Sequence, residues 1–306
     1  MATESFFTQA SLAYLASAGA GKDGKAYSIK PTDGTGDFTF SRGSNLAATR
    51  VGADGLIEKG RENLLTYSND FSDSSWVKSS ISATSGQSGY DGTNDAWLLA
   101  KGAANAYMYV NNSVSGVQTF SVYAKAGSLD WMRIVILGAS DFADSFFNLA
   151  DGSVGINSGL ISASSESIGG GWYRYSLVLN GSPSQVRIYP ADFNGNVSGT
   201  SGNILIQDAQ REQGLVARDV VTTTTAAVYG GITDNTPRLD YTDSSCPALL
   251  LEPLRTNIIS YSEYLEGGFG LADFVSVSLE NVTAPDGSNL VTKLQANGDT
   301  SGRAQD

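Results

Sequence analysis

The sequence predicts an all-β protein whose central part is an antiparallel β-sandwich or jelly roll. Composition gives the first indication, because 35 glycines, only seven prolines and 10% aromatic residues among 306 residues are typical of short strands joined by tight turns. The second is an alternation of apolar and polar residues with a period of two between residues 79 and 224. The third is that this region contains no convincing helical pattern.

About ten short strands follow from this alternation and from the turn residues between the segments. They cover residues 79–85, 96–101, 106–114, 118–126, 131–137, 145–149, 159–167, 173–179, 185–189 and 203–211. In the fourth segment, Phe120, Val122 and Ala124 are two residues apart and share one face. Such a strand buries one face and leaves the other polar, as a sandwich requires.

Two parts of the chain begin alike, which indicates a repeated module. The run R-E-N-L-L-T-Y-S at 61–68 returns as R-T-N-I-I-S-Y-S at 255–262. We therefore expect four parts: an extended N-terminal segment (1–60), a jelly roll (61–221), an extended linker (222–254) and the beginning of a second, incomplete β module (255–306).

Residues 1–60 carry too little apolar surface to build a core alone. The pattern predicts a short amphipathic helix over 6–17, then short strands around turns at Asp33-Gly34 and Asp54-Gly55. We expect this segment to become ordered only against other protein.

Several classes of chemistry are excluded by the residue counts. The chain has no histidine and one cysteine, Cys246, which removes Ser-His-Asp and Cys-His catalysis, histidine-ligated metals and an intrachain disulfide. Cys246 stands in an apolar context that predicts a buried thiol. A net charge of −12 argues against nucleic acid and anionic membrane surfaces as partners. No apolar run approaches the ~20 residues of a membrane span.

Aromatic and arginine side chains in the strands are candidates for sugar binding, since aromatic planes stack on pyranose rings and flanking polar groups bond the hydroxyls. The candidates form three pairs, each two residues apart on one strand: Tyr107 and Tyr109, Trp131 and Arg133, Arg187 and Tyr189. Alternatively, these side chains pack in the core or against a neighbouring subunit. Trp172, after three glycines, is interpreted as a core anchor.

Carboxylates and metal ligands give weaker signals. Glycoside hydrolysis needs two carboxyl groups within about 5–10 Å, one of them with a raised pKa. The carboxylates of the sandwich region are interpreted as solvated turn residues without such an apolar environment: Asp141, Asp144, Asp151, Glu166, Asp192 and Asp208. We expect no catalytic site. The loop at 90–95, with Asp208, offers oxygen ligands that suit calcium, but Asp-Gly also forms ordinary turns. No cofactor is assigned.

Two blocks of sequence resemble segments of bacteriophage fibre proteins. They are G-D-F-T-F-S-R-G-S-N-L-A-A-T-R-V-G-A-D-G-L-I-E (36–58) and P-R-L-D-Y (237–241) with C-P-A-L-L-L-E-P-L-R-T-N (246–257). In many fibre proteins the two blocks are nearly adjacent, whereas here a module separates them. That module is similar to the carbohydrate-binding-module-like jelly rolls of phage fibres through T-F-S-V-Y-A-K-A-G (119–127), F-N-L-A-D-G-S-V-G (147–155), G-G-G-W-Y-R-Y-S (169–176) and I-Q-D-A-Q-R-E-Q-G (206–214).

The resemblance implies a structural, homotrimeric virion component that is assembled in the host cytoplasm. Residues 1–60 would then anchor it to capsid or tail proteins and trimerise it, and the β modules would project toward host-surface glycans. Two alternatives stay open. The chain is a stand-alone carbohydrate-binding adhesin, or it is the N-terminal part of a capsule depolymerase.

Overall fold

The computed structural model describes residues 57–230 continuously and, outside them, residues 21–22, 25–26, 38–39, 49–51, 239–240, 248–249, 275–280, 282–285 and 291–296. The helix expected at 6–17, Cys246 and the repeated opening at 255–262 lie outside the described residues. Within the described residues, every regular element is a strand, which confirms the all-β prediction.

The described strands are numbered along the chain. They are β1 (Gly21–Lys22), β2 (Lys25–Ala26), β3 (Phe38–Thr39), β4 (Thr49–Val51), β5 (Ile57–Lys59), β6 (Arg61–Asn63), β7 (Trp76–Ser79), β8 (Ile81–Gln87), β9 (Ala96–Lys101), β10 (Tyr107–Asn111), β11 (Gly116–Ala126), β12 (Trp131–Leu137), β13 (Phe142–Asn148), β14 (Val154–Ser158), β15 (Ser162–Gly169), β16 (Trp172–Gly181), β17 (Gln185–Ala191), β18 (Asn203–Gln213), β19 (Val228–Gly230), β20 (Leu239–Asp240), β21 (Ala248–Leu249), β22 (Val275–Glu280) and β23 (Val291–Ala296).

The chain groups into two compact units. One comprises Met1–Arg61, Tyr229–Ile258 and Asn281–Val291, and the other Glu62–Val228, Ile259–Glu280 and Thr292–Asp306. Short antiparallel pairings are what the structure describes of the first unit: β1 with β2, β2 with β3, β4 with β5, and β20 with β21.

The second unit contains a sandwich of two six-stranded sheets. Sheet A has the order β14-β13-β12-β17-β10-β7, and sheet B has the order β15-β16-β11-β18-β9-β8. Neighbouring strands run antiparallel, and the chain passes repeatedly from one sheet to the other, as in the predicted sandwich. Sequential strands therefore often lie in different sheets, so distant segments become neighbours.

The core lies between the inner faces of the two sheets. Sheet A contributes Met108, Val110, Met132, Ile134, Ile136, Phe147, Val186 and Ile188, and sheet B contributes Leu99, Phe120, Val122, Ala124, Tyr175, Leu177, Leu179, Ile204 and Ile206. Fully burying one large apolar side chain stabilises the fold by roughly 1.5–3 kcal/mol. Because successive side chains of a strand alternate in direction, this inner set fixes which residues stand on the outer faces.

One buried cation bridges the ends of several strands inside the sandwich. Arg211 of β18 is 0% exposed, and its Nε donates to Gln118 Oε1 at 2.8 Å and its Nη2 to the Pro183 carbonyl at 3.2 Å. Its Nη1 donates to the Asn112 carbonyl. Burial lowers the pKa of Arg211 to about 10. The guanidinium thus satisfies acceptors from three separate parts of the chain.

Candidate functional site

All six sequence-predicted candidates stand on the outer face of sheet A. Strand β17 lies between β10 and β12, and the register places Tyr109 opposite Arg187 and Arg133 opposite Tyr189. Their neighbours along each strand, such as Met108 and Ile188, point into the core. We call this surface the aromatic face, formed by Tyr107, Tyr109, Trp131, Arg133, Arg187 and Tyr189.

Rings and guanidinium groups are interleaved across the aromatic face. The ring centroids of Tyr107 and Tyr109 are 5.9 Å apart, and those of Tyr107 and Tyr189 are 4.8 Å apart. The Arg187 guanidinium lies 4.8 Å from the Tyr107 ring centroid, and the Arg133 guanidinium lies 5.7 Å from that of Tyr189. The two guanidinium–ring distances are within the range of cation–π attraction, and the two ring–ring distances are within the range of aromatic contacts. These tyrosine and arginine side chains therefore support one another in a connected layer.

The layer is accessible to solvent in most of its extent. Tyr107, Tyr109, Trp131, Arg133 and Arg187 are partly exposed, whereas Tyr189, at the centre, is 7% exposed. In the part of the chain that the structure describes, none of the six belongs to a hydrophobic core cluster. Five of the six side chains therefore lie at the surface of this sandwich, and Tyr189 is buried beneath them.

Strand β13 adds two residues to the face that the sequence reasoning missed. Phe146 lies directly opposite Arg133, with its ring centroid 5.2 Å from the guanidinium. Asp144 Oδ2 accepts hydrogen bonds from Arg133 Nε at 2.9 Å and Nη2 at 2.6 Å. Asp144 was expected to be a solvated turn residue; it is instead a strand residue that is 6% exposed. The two-residue spacing of Asp144 and Phe146 would have revealed them if the predicted strand had begun earlier.

Trp131 extends the aromatic face toward the edge strand β14. The ring packs over Gly155, where an added Cβ would lie 2.7 Å from Trp131 Cζ3. Beside it, the Ile156 amide donates to Asn194 Oδ1 at 2.8 Å. Ile156 is 58% exposed. The absence of a side chain at Gly155 therefore leaves the space that the Trp131 ring occupies at the edge of the face.

The outer face of sheet B is built differently, with its aromatic residues buried. Trp172 is 3% exposed and clusters with Ala96 and Tyr123. Tyr90 stacks on Tyr123 at 3.8 Å between centroids. The prediction that Trp172 is a buried anchor is confirmed, although it anchors a small second cluster and not the main core.

The loop that was considered for calcium is held by side-chain hydrogen bonds. Gln207 Nε2 donates to Asp95 Oδ1 at 2.7 Å, and the Tyr90 hydroxyl donates to Asp208 Oδ2 at 3.0 Å. In the described part of the chain, no group of three or more histidine, cysteine, aspartate or glutamate residues is arranged to hold a metal ion. The Asp-Gly pair there acts within a turn in which the Thr93 amide donates to Asp91 Oδ1.

Asp208 corrects the expectation that no carboxylate lies in a pKa-raising environment. A register shift between Ser121 and Tyr123 marks a β-bulge in β18, and Asp208 there has φ 47°. Burial raises its pKa to about 6; the Tyr90 hydrogen bond lowers it, and the charges of Asp95 and Asp91 raise it. The sequence showed the strand and gave no sign of the bulge.

The other carboxylates named from the sequence mostly hold loops or strand ends. Asp192 pairs with the buried Lys101 at 3.2 Å, Asp141 Oδ2 accepts from the Ser182 amide, and Asp151 Oδ1 accepts from the Ser153 amide. Glu166 lies on the edge strand β15 and is exposed.

Known proteins show limited similarity to this chain. No protein-family model matches the sequence, and no curated protein matches it. Among solved structures, the chain is similar to the CBM22-1–GH10 modules of the Clostridium thermocellum endo-1,4-β-D-xylanase 10B complexed with xylohexaose, with TM-score 0.30 and 11% identity over 50% of this chain and 28% of that one. It is also similar to the enzymatically active domain of tailspike protein 4 of bacteriophage CBA120, with TM-score 0.28 and 16% identity over 49% of this chain and 21% of that one.

These two likenesses are distant, and the chain spans only 28% and 21% of the two structures. At such identities and TM-scores they carry no argument about function. Among the described residues, no helix has the length and apolar character needed to cross a membrane. What the structure itself defines is an antiparallel β-sandwich with an aromatic, arginine-bearing outer face on one sheet.

Proposed function

We propose that the sandwich binds host-surface glycans through the aromatic face and that the chain is a structural component of a bacteriophage fibre. The observation that carries the binding proposal is the union of three predicted residue pairs on one outer sheet face. Strands β10, β12 and β17 supply them in adjacent positions.

The chemistry of the face suits a sugar. Pyranose rings present apolar C–H faces that pack on aromatic planes, and equatorial hydroxyls that bond guanidinium and phenol groups at the rim. Tyr107, Tyr109 and Trp131 offer the planes. The Arg187 guanidinium and the Tyr109 phenol offer polar atoms one strand apart. Rings on a rigid sheet need little ordering on binding, which reduces the entropic opposition to association.

The fibre part of the proposal is supported by the sequence blocks at 36–58 and 237–257, which resemble fibre proteins. We propose that residues 1–60 dock to capsid or tail proteins and bring three copies together. We further propose that the face binds without catalysing a reaction, since its buried carboxylate, Asp144, is engaged by Arg133 at 2.6 Å.

A glycan array probed with the purified full chain tests the binding proposal. We expect binding to at least one glycan class and a loss of about tenfold or more in affinity for Tyr109→Ala and Trp131→Ala, the magnitude of a central aromatic contact. Ile168→Ala is the matched control, because Ile168 is an exposed apolar residue on the edge strand of sheet B. The proposal fails if no glycan binds, or if both variants bind as tightly as the control.

Solution mass measurement of the full chain tests the fibre part. A trimer is the expected result. A stable monomer that still binds glycans would favour the stand-alone adhesin and contradict the fibre assembly.

A further inference from the structure

Arg187 differs from the other arginine of the aromatic face in its charge environment. Arg133 is neutralised by Asp144, with Nη2 and Oδ2 2.6 Å apart. Among the residues that the structure describes, no carboxylate lies within ion-pair distance of the Arg187 guanidinium. A cation that is partly buried on an aromatic layer is thus left without a counter-charge.

Neighbouring polar groups hold Arg187 in place. Gln185 Nε2 donates a hydrogen bond to Asn111 Oδ1 at 2.9 Å. This bond orients the Gln185 amide group, whose Oε1 accepts a hydrogen bond from Arg187 Nε. The ring of Tyr107 covers one face of the guanidinium at 4.8 Å. The group is therefore oriented before any ligand arrives, which lowers the ordering cost of binding.

The residues that the structure describes leave most of the hydrogen-bonding capacity of this group unused. A guanidinium carries five N–H donors in a planar fork. Among the described residues, the Nε–H is bonded to Gln185, and Nη1 has one partner, the Tyr189 hydroxyl at the long distance of 3.5 Å. Two Nη groups at the planar edge match the two oxygens of a carboxylate, which arginine binds with paired hydrogen bonds.

We propose that the glycan bound on the aromatic face is acidic and that Arg187 binds the carboxylate of a uronic or sialic acid residue. This inference rests on the proposed glycan-binding function. A ring seated beside Arg187, on Tyr109 directly across the strand pair, places an exocyclic carboxylate at the open edge of the guanidinium.

The charge of the whole chain opposes this ligand. A net charge of −12 repels an anionic glycan at long range. A measured preference for the acidic form therefore reports a local contact and not general attraction.

The experiment compares acidic oligosaccharides with their neutral counterparts by calorimetry on the full chain. One pair is an oligogalacturonide and its carboxyl-reduced form, and the other is sialyllactose and lactose, so the two sources of carboxylate are distinguished. Arg187→Gln removes the charge, and Arg187→Lys keeps the charge but loses the planar fork. Lys125→Gln is the control, since Lys125 carries the same charge on sheet B, where its Nζ bonds the Gly170 carbonyl.

We expect at least one acidic member to bind about tenfold or more tightly than its neutral partner, the effect of a charged hydrogen bond. Arg187→Gln should abolish this preference, because it should weaken binding of the acidic member about tenfold more than binding of the neutral partner. Arg187→Lys should restore part of the preference, and Lys125→Gln should retain it. Thermal unfolding of each variant confirms that the sandwich is intact.

Each other outcome overturns a defined part of the reasoning. Equal binding of acidic and neutral forms refutes the acidic-sugar inference and leaves the glycan-binding proposal standing. A preference that survives in Arg187→Gln refutes the role of Arg187. Failure of every acidic and neutral glycan, on the array as well as in calorimetry, refutes the proposed function and this inference together.

Discussion

Replacing Asp208 with asparagine should stabilise the protein at neutral pH and leave its stability nearly unchanged in acid. Asp208 is 7% exposed, and burial raises its pKa from 3.8 to about 6. The hydrogen bond from the Tyr90 hydroxyl at 3.0 Å lowers the pKa, and the charges of Asp95 and Asp91 raise it. The net effect is that the fold disfavours the charged form of this carboxyl group.

The sign of the pH dependence follows from the direction of this pKa change. Between about pH 4 and pH 6 the folded state binds more protons than the unfolded chain, so the free energy of unfolding falls as pH rises. The stability that the raised pKa of Asp208 contributes, relative to the charged carboxylate, is fully present below pH 4. It is lost as the pH rises above 6, where the buried group is charged. The rise in pKa from 3.8 to about 6, at 1.36 kcal/mol per pKa unit, corresponds to about 3 kcal/mol. Asparagine stays neutral and keeps an oxygen that can accept from Tyr90.

Urea unfolding at pH 4 and pH 7.5, with EDTA present, measures the effect. Tryptophan fluorescence reports the sandwich, because all four tryptophans lie in it. We expect Asp208→Asn to gain on the order of 3 kcal/mol at pH 7.5 relative to the wild type. The control Asp151→Asn should show no such gain, since the Ser153 hydroxyl and amide hold the pKa of the exposed Asp151 below its usual value. A variant less stable than the wild type at pH 7.5 would refute the reasoning. So would a wild type that becomes more stable when calcium replaces EDTA, if Asp208→Asn does not.

Two further substitutions test the packing of the sandwich by the same unfolding assay at pH 7.5. Arg211→Met should lower the free energy of unfolding by on the order of 3 kcal/mol, because the Gln118 amide oxygen and other buried acceptors lose their donor. The control Lys125→Met, at the surface, should change the free energy of unfolding by less than about 0.5 kcal/mol. Equal effects of the two substitutions would contradict the buried bridge. Phe71→Ala should lower the free energy of unfolding by roughly 3–5 kcal/mol, since Phe71 is 0% exposed. The control Phe193→Ala should lower it little, since Phe193 is 58% exposed. A small loss of stability in Phe71→Ala would show that Phe71 does not pack in the core.

The strands were largely predictable because a period of two is a local property. The segments 96–101 and 131–137 coincide with β9 and β12, and the other predicted segments overlap strands with ends shifted by a few residues. Two strands of the six-stranded sheets were missed. Strand β7 has only four residues, and β14 is mostly exposed and lies between two predicted strands. Neither shows the half-buried alternation that identifies a strand.

The candidate site was predictable in its parts and not in its assembly. A two-residue spacing placed each pair on one strand face, but the sequence does not reveal that β17 separates β10 from β12. That neighbourhood follows from the order of strands in the sandwich, where segments far apart in sequence pair. Asp144 was misinterpreted for the same reason: its partner Arg133 is found only through the β12–β13 register. The raised pKa of Asp208 depends on a bulge and a loop whose packing has no local signature.

The emission of Trp131 during a glycan titration tests most directly whether the aromatic face is the binding surface. The three other tryptophans are at most 8% exposed, which leaves Trp131 as the reporter of ligands on this face. The full chain should show a saturable change in fluorescence that is absent from Trp131→Phe, although calorimetry still detects binding by that variant. A fluorescence change that persists in Trp131→Phe, or binding that leaves the emission of Trp131 unaltered, would place the glycan on another surface.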